Sequence, residues 1–419
     1  MRVCIHRGAH EIGGTCIEIE SQGKRLVLDI GQPLDCPAPE LAQMPDVAGF
    51  DAEDPSLLGV VISHPHQDHY GLASRVPKGV TFLMGAATER ILAAAADFTP
   101  SGCKFENVIH LQDRKPIELG PFTITPYLMD HSAYDAYAVL IEAGTKRLFY
   151  TGDLRGHGRK AILFERLVAA PPQDVDVLLM EGTTILRTGT DEGFASESDL
   201  ENEMVDLFRN TTGMPLVWCS GQNIDRLVTV FRAAKRSGRQ LILDMYTAHI
   251  LAATENPRLP QADWNQVRVF LPWSQKQRII KDESFEIAKR YRLNRIYPEH
   301  LAGTAAKSVM LFRPSMRIDL EKAECLDGAC LVYSMWDGYL KDEKLKSFLT
   351  WIDDRGIPLH QCHTSGHAPL RDLRRLREAF ASAVVVPVHC ADPAAYAKAF
   401  DHVQLHADNV WWEVEESKS

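Results

Sequence analysis

The feature that most constrains this chain is the stretch Ser63 to Gly71, which reads S-H-P-H-Q-D-H-Y-G. It places His64, His66, Asp68 and His69 within six consecutive positions, directly after an apolar run. A lone histidine is usually an ordinary core or surface group, but this density predicts a metal site. Side chains two apart face the same way in an extended loop, whereas adjacent ones diverge in a helix. One loop could therefore supply ligands to two metal ions, each of which needs further ligands from elsewhere in the chain.

Length and composition indicate an ordinary globular protein with two domains, or one domain with a large insertion. The chain has 419 residues, of which 45% are hydrophobic and 24% charged. No apolar run approaches the roughly eighteen residues of a membrane span, and the N-terminus has no apolar segment typical of a secretion signal. Nine scattered cysteines without a C-x-x-C pair favour a reducing cytoplasm over a disulfide framework. The sixteen histidines are therefore the expected source of metal ligands.

The net charge of −10 opposes binding to polyanions, so a nucleic-acid partner would need a local basic groove. Two basic stretches are candidates for such a groove, although most such runs are solvated helix faces. Their residues are Arg371, Arg374, Arg375 and Arg377 near the end of the chain, and Lys276, Arg278 and Lys281 in its middle part.

The hydrophobic pattern divides the chain into three parts, predicted as residues 1–190, 191–346 and 347–419. The first part consists of short apolar strands with ligand-type residues just after them, namely His64, Asp153 and Glu181. The second alternates helices and strands, which predicts an α/β domain with a largely parallel sheet. The third part returns to the pattern of the first part. No flexible linker separates the parts, which indicates that the middle domain is inserted into the first.

H64-P-H66-Q-D68-H69 resembles the H-x-H-x-D-H signature of the metallo-β-lactamase superfamily. The resemblance implies an αββα sandwich with a downstream histidine, an aspartate shared by both metals and a final histidine. His131 in M-D-H-S and Asp153 in Y-T-G-D-L-R match the first two. One metal would then be bound by His64, His66, His131 and Asp153, and the other by Asp68, His69, Asp153 and one more histidine.

The segment H363-T-S-G-H367-A resembles a motif of the ribonuclease J family, which belongs to the β-CASP branch of this superfamily. V-V-V-P-V-H389 resembles the strand of that family that carries the last metal ligand, so His389 completes the implied set. The inserted domain would be the β-CASP cap. His389 favours RNA as the substrate, because the DNA-repair branch usually has valine at this position.

The resemblance implies a metal-dependent hydrolase, a two-metal ribonuclease in which a bridging hydroxide attacks phosphorus. Asp68 could orient that hydroxide, and His367 is the candidate proton donor to the leaving oxygen. Glu181 would orient a ligand histidine through its second nitrogen, or else form a simple salt bridge. The candidate substrate-binding residues are His363, Ser365 and Gly366.

The resemblance also leaves rival functions open. The chain has H389-C-A-D where the family usually has Gly and an acidic residue after the histidine, and it ends about thirty residues later, without the family's additional C-terminal domain. Alternatives are a hydrolase of a small ester or phosphodiester, a DNA nuclease, or an idle RNA-processing scaffold. We expect two divalent ions (zinc, with manganese as the alternative), single-stranded RNA as partner, a cytoplasmic location and no membrane association. Oligomeric state and internal versus terminal cleavage stay open.

Overall fold

A computed structural model describes residues 1–187 and 191–415. The chain forms two compact units. The first comprises Met1–Ala93, Cys103–Phe194 and Gly366–Ser419, and the second Ala94–Gly102 and Ala195–Ser365. The predicted boundary at residue 190 lies outside the described residues, and the second unit continues to Ser365 rather than ending at residue 346.

The strands and α-helices are numbered here in chain order. The strands are β1 (Arg2–Arg7), β2 (Cys16–Ser21), β3 (Lys24–Leu28), β4 (Leu57–Val61), β5 (Phe82–Gly85), β6 (Val108–Leu111), β7 (Ile117–Leu119), β8 (Phe122–Leu128), β9 (Tyr137–Ala143), β10 (Lys146–Tyr150), β11 (Val177–Glu181), β12 (Pro215–Trp218), β13 (Gln240–Asp244), β14 (Val267–Phe270), β15 (Arg295–Ile296), β16 (Ser308–Leu311), β17 (Cys330–Tyr333), β18 (Leu359–Gln361), β19 (Val384–Val388) and β20 (Trp411–Glu413). The helices are α1 (Gln67–Tyr70), α2 (Ala86–Ala96), α3 (Ala161–Ala169), α4 (Glu197–Asn210), α5 (Ile224–Arg236), α6 (Met245–Ala253), α7 (Trp273–Lys281), α8 (Phe285–Arg290), α9 (Pro298–Thr304), α10 (Arg317–Lys322), α11 (Lys346–Asp354), α12 (Leu370–Ala379) and α13 (Pro393–Ala399).

The first unit contains two sheets that share one hydrophobic core. Their strand orders are β20-β1-β2-β3-β4-β5-β6 and β19-β11-β10-β9-β8-β7. Because side chains alternate between faces along a strand, β2 sends Ile17 and Ile19 into the core between the sheets and Glu18 to the opposite face. The second sheet contributes Val139 and Leu179 to the same core.

Helices cover the outer faces of both sheets and complete a four-layer sandwich. Leu92 of α2 packs with Val60 on the outer side of the first sheet. Phe164 of α3, Leu373 of α12 and Tyr396 of α13 pack on the outer side of the second. The predicted αββα sandwich is therefore confirmed.

The second unit is an α/β structure around a seven-stranded sheet in the order β15-β14-β13-β16-β12-β17-β18. All of its strand pairs are parallel, as the alternation of helices and strands predicted. Strand β18 lies after residue 346 yet pairs with β17, which is why this unit extends beyond the predicted boundary. None of the described helices is long and apolar enough to cross a membrane.

Candidate metal centre

The candidate site lies where parallel strands of the first unit end. In the first sheet the parallel neighbours β3 and β4 are followed by Asp29 and by Ser63–His64. In the second sheet β10, β11 and β19 run parallel, and they lead to Asp153, Glu181 and His389. Because the carboxyl ends of parallel strands share one edge, residues far apart in sequence are brought together there.

The loop after β4 has an extended first half and a helical second half. His66 has extended backbone and precedes the single-turn helix α1, where its carbonyl accepts a hydrogen bond from the His69 amide at 2.9 Å. His64 and His66 therefore project from extended chain, whereas Asp68 and His69 project from the helix. The loop supplies ligand-type side chains to two separate groups.

The first group consists of His64, His66 and His131, whose candidate ligand atoms lie within 4.8 Å of one another. Nε2 of His131, in the loop after β8, is 3.2 Å from Nδ1 of His66. Nε2 of His64 is 3.6 Å from Oδ2 of Asp153. These are the four residues that the sequence assigned to one metal ion.

The second group consists of Asp68, His69 and His389, again with candidate ligand atoms within 4.8 Å. Oδ2 of Asp153 is 3.1 Å from Nε2 of His69, and Oδ1 is 3.5 Å from Nδ1 of His389. The Asp153 carboxylate therefore contacts members of both groups, as an aspartate shared between two ions would.

Burial and unpaired polar atoms make this donor set suitable for divalent cations. His64 Nε2, His131 Nδ1 and Asp153 Oδ1 are buried and form no hydrogen bond with any described residue. Burial lowers the pKa of His64 and of His131 well below the ordinary value, which keeps both imidazoles in the neutral form that binds metals. Burial alone would raise the pKa of Asp153, but His389, His69 and His367 outweigh it and hold that pKa well below its usual range.

Asp29 orients this cluster and was missed by the sequence analysis. Its buried carboxylate accepts hydrogen bonds from the Ser63 amide at 2.7 Å, the Ser63 hydroxyl at 2.8 Å and the Tyr150 hydroxyl at 2.6 Å. Oδ2 also lies 2.8 Å from Nδ1 of His69. A carboxylate on the far nitrogen of a metal-binding histidine fixes its ring orientation and tautomer. The only sequence signal is the position of Asp29 directly after an apolar strand.

His389 is held by the N-terminal part of the chain, which the sequence analysis also missed. The Thr15 hydroxyl lies 3.2 Å from Nδ1 of His389, and the Gly13 amide donates to Nε2 at 3.1 Å. The backbone of His389 has φ +51°, in the left-handed region that residues other than glycine rarely adopt. The ring is thus fixed by both its strand and a neighbouring loop.

His367 lies beside the two groups and pairs with Glu181. Its Nδ1 is 3.0 Å from Oε2 of Glu181 and 3.6 Å from Oδ2 of Asp153. Burial lowers the pKa of His367, but the Glu181 and Asp153 carboxylates raise it above the ordinary value. Glu181 was expected either to orient a metal-ligating histidine or to form a simple salt bridge. Its partner in the structure is His367, because β11 ends beside the segment that carries this histidine.

The candidate substrate-binding residues do not all belong to one unit. Gly366 packs against the loop that carries His131, since a Cβ there would lie 2.8 Å from the Ser132 hydroxyl. His363, which is exposed, and Ser365, which is buried, belong to the second unit. The structure therefore places Gly366 beside the metal-ligand loop, and the roles of His363 and Ser365 stay predictions.

The predicted basic helix, α12, has its charges engaged by other groups. Arg374 and Arg375 form ion pairs with Asp191 at 2.5 Å and Glu165 at 2.6 Å. The guanidinium groups of Arg371 and Arg377 donate to backbone carbonyls. A run of this kind is either a solvated helix face or a basic patch beside the site, and here acidic residues distant in sequence neutralise part of its charge.

Comparison with known proteins shows which class this chain resembles. Residues 37–211 match the family described as the beta-lactamase superfamily domain. The chain is similar to that superfamily over this segment, and to the ribonuclease J proteins described next. The matched segment contains the histidine cluster, His131, Asp153 and Glu181.

Several curated relatives carry the name ribonuclease J. The protein from Mycobacterium tuberculosis (strain CDC 1551 / Oshkosh) is 24% identical over 249 residues, which cover 58% of this chain and 44% of the relative. The protein from Sinorhizobium meliloti is 22% identical over 369 residues, covering 84% of this chain and 62% of the relative. An RNase J-like protein from Methanocaldococcus jannaschii is 24% identical over 190 residues. The chain therefore spans less than two thirds of the length of these relatives.

A solved structure shares the fold over nearly the whole chain. It is a protein of unknown function from Enterococcus faecalis V583, with a TM-score of 0.76 and 20% identity. The match covers 98% of this chain and 99% of that protein. It supports the architecture of the two units and carries no information about activity.

Proposed function

We propose that this protein is a metal-dependent ribonuclease that hydrolyses phosphodiester bonds in single-stranded RNA. The observation that carries the proposal is the convergence of two ligand groups on Asp153, with the His367–Glu181 pair beside them. The similarity to proteins named ribonuclease J supports RNA as the substrate.

We propose that the residues hold two divalent cations, zinc ions or, as the alternative, manganese ions. His64, His66 and His131 would bind one, Asp68, His69 and His389 the other, and Asp153 both. Such ions, when bound, activate a water molecule as nucleophile and neutralise negative charge on a phosphate group. Imidazole and carboxylate donors without cysteine suit zinc or manganese.

The reaction also needs a proton for the leaving oxygen, and His367 is the group we assign to this task. Glu181 lies against Nδ1 and favours the protonated imidazole, so Nε2 would be the nitrogen that donates to the substrate. Because the orientation of the His367 ring depends on its contact with Glu181, we assign Glu181 as a positioning residue. Asp68, on the helical half of the ligand loop, could in addition orient the nucleophile.

Cationic side chains beside the ligand residues could receive the phosphate chain. Nζ of Lys160 donates to the carbonyl oxygen of His131 at 3.1 Å, which places this ammonium group next to a ligand residue. Arg187 lies close enough to His367 to oppose, without overcoming, the rise in the pKa of this imidazole that the Glu181 and Asp153 carboxylates cause. These two cations, rather than the paired arginines of α12, supply positive charge near the candidate site.

We further propose a cytoplasmic location. All nine cysteines are free thiols in the structure, and eight of them are buried. Burial raises the pKa of Cys219, Cys362 and Cys390, among others, so these groups are unreactive thiols suited to a reducing compartment.

The function is tested with end-labelled single-stranded RNA carrying either a 5′-phosphate or a 5′-hydroxyl. The wild-type protein should cleave it, and His367→Ala should lower kcat by about 10²–10⁴-fold, since a proton donor is lost. Metal content should be unchanged in His367→Ala, and His110→Ala, at an exposed histidine of β6, should retain full activity. If the protein leaves RNA uncleaved but hydrolyses a small phosphodiester or lactone, the proposed function is wrong and the protein is a hydrolase of small substrates.

A further inference from the structure

Most residues of the segment 273–297 of the second unit are exposed. It contains α7, α8, a 3-10 turn and the edge strand β15, which pairs only with β14 among the described strands. Its buried residues are Ile279, Tyr291 and Ile296. These few side chains anchor the segment to the unit, and the rest form a surface that we call the 273–297 surface.

Large apolar side chains are concentrated on the 273–297 surface. Trp273 is 64% exposed, Phe285 56% and Leu293 88%, and Ile280 and Tyr297 are also exposed. Isolated exposed apolar residues are common, whereas five within one short segment are a concentration that is typical of binding surfaces.

The same segment is basic within an acidic chain. It contains seven Lys and Arg residues against three Asp and Glu residues, a net charge of +4, whereas the whole chain carries −10. Arg278 pairs with Asp282 and Lys289 with Glu286. Lys276, Lys281 and Arg292 form no ion pair with any residue that the structure describes, so their charges are directed at solvent or at a partner.

An aromatic ring and a guanidinium group already associate on this surface, since the Arg295 guanidinium lies 4.8 Å from the centre of the exposed Tyr297 ring. The Arg290 guanidinium lies 5.7 Å from the ring of the buried anchor Tyr291. Aromatic faces beside cations are the elements that proteins use to bind single strands, with bases stacked on the rings and phosphates neutralised by the cations.

We infer that the 273–297 surface binds single-stranded RNA, outside the candidate metal centre. The inference rests on the proposed function for the choice of RNA. A second copy of this chain would bring two positively charged surfaces together, whereas a nucleic-acid strand complements the charge and can stack on Trp273 and Phe285. The partner we assign is therefore the polyanionic strand, and self-association is the competing outcome.

The test measures binding of a labelled single-stranded RNA to the full-length chain in a His367→Ala background, where cleavage is suppressed. The double variant Trp273→Ala/Phe285→Ala should weaken binding at least about tenfold, as expected for lost stacking. Lys276→Gln/Lys281→Gln/Arg292→Gln should weaken binding and reduce its salt dependence. Trp336→Ala, at another exposed tryptophan of the same unit, is the matched control and should bind like the parent.

A second measurement separates this inference from the proposed function. With His367 intact, the surface variants should raise KM for long RNA while leaving kcat on a dinucleotide unchanged. If both surface variants bind RNA with the same affinity as the Trp336→Ala control, the inference is overturned, even if the protein cleaves RNA. A change in oligomeric state without a change in RNA affinity would also overturn it. If the surface variants bind RNA more weakly but the protein cleaves no RNA, the 273–297 surface binds RNA as inferred and the proposed reaction is refuted.

Discussion

Asp29 shows how one buried carboxylate can organise a site to which it contributes no ligand. It contacts the Ser63 amide and hydroxyl, the Tyr150 hydroxyl and Nδ1 of His69. These contacts connect the ends of β3, β4 and β10, so the ring of His69 cannot rotate without breaking them. We therefore interpret Asp29 as a residue that positions His69.

Replacing Asp29 with asparagine should weaken metal binding about 10–100-fold, because the amide cannot replace the charge behind His69. The affinity is measured by competition with a chromogenic chelator. Asp51→Asn, at an exposed aspartate, is the matched control and should bind metal like the wild type. Equal affinities for the two variants would show that Asp29 has no role in metal binding.

The cluster of ligand-type residues could be predicted, whereas the residues that position its side chains could not. Four ligand-type side chains in six positions are unusual enough to indicate a metal site by themselves. Asp29 and Thr15 are single polar residues near strand ends, where capping and turn roles are common. Their contacts depend on which strands become neighbours, and that information is absent from local sequence.

At the scale of elements, the outer face of β1, β2 and β3 carries a buried charge network. Nε2 of His6 lies 2.8 Å from Glu18, which also forms an ion pair with Arg25 at 2.6 Å. Burial lowers the pKa of His6, but hydrogen bonds to Cys4 and Glu18 outweigh it and raise the pKa to about 9. The His6–Glu18 ion pair therefore links the first two strands of the sheet.

This network makes stability depend on pH with a definite sign. Because the pKa of His6 is higher in the folded protein than the value of about 6.5 in the unfolded chain, the added stability is fully present below pH 6.5 and is lost as pH rises through about 9. The difference in unfolding free energy between wild type and His6→Gln should shrink over this range by roughly 1–3 kcal/mol. Urea unfolding at a series of pH values measures it, and a constant difference would contradict the ion pair.

A second buried ion pair connects elements of the second unit. Arg226 of α5 and Glu197 of α4 are both almost fully buried and lie 3.1 Å apart, and Thr229 donates to the same carboxylate. The Arg226 guanidinium also donates to the Ser334 carbonyl after β17. Arg226 is thus a structural group of this unit.

Glu197→Ala should destabilise the second unit by about 3–5 kcal/mol, because it leaves the Arg226 charge buried without its partner. The double replacement Glu197→Leu/Arg226→Met should cost less than the single one, since both charges are removed. Chemical denaturation of the three proteins provides the comparison. A double variant less stable than Glu197→Ala would contradict this account of the pair.

Helix α12 marks the limit of prediction at this scale. This Arg-rich segment is a helix, and its Leu373 and Leu376 pack into the core of the first unit. The acidic partners of its arginines come from α3 and from the segment after residue 190, far away in sequence. Periodicity identifies the element, but it cannot show which charges another element will neutralise.

At the scale of the whole molecule, the sequence indicated an inserted domain but misplaced its end. The alternation of helices and strands predicted the parallel sheet of the second unit. The return to the first unit was placed at residue 347, whereas the structure places it at Gly366. Helix α11 and strand β18 extend the parallel sheet by one more strand, and the edge of a sheet has no sharp sequence signal.

The central claim for the whole molecule is that two metal ions held by these seven residues are required for RNA hydrolysis. It is tested most directly by removing all metal from the protein and titrating zinc back while RNA cleavage and bound zinc are measured together. We predict no cleavage by the metal-free protein and full recovery at about two zinc ions per chain. Cleavage by the metal-free protein, or two bound ions without any cleavage of RNA, would contradict the account.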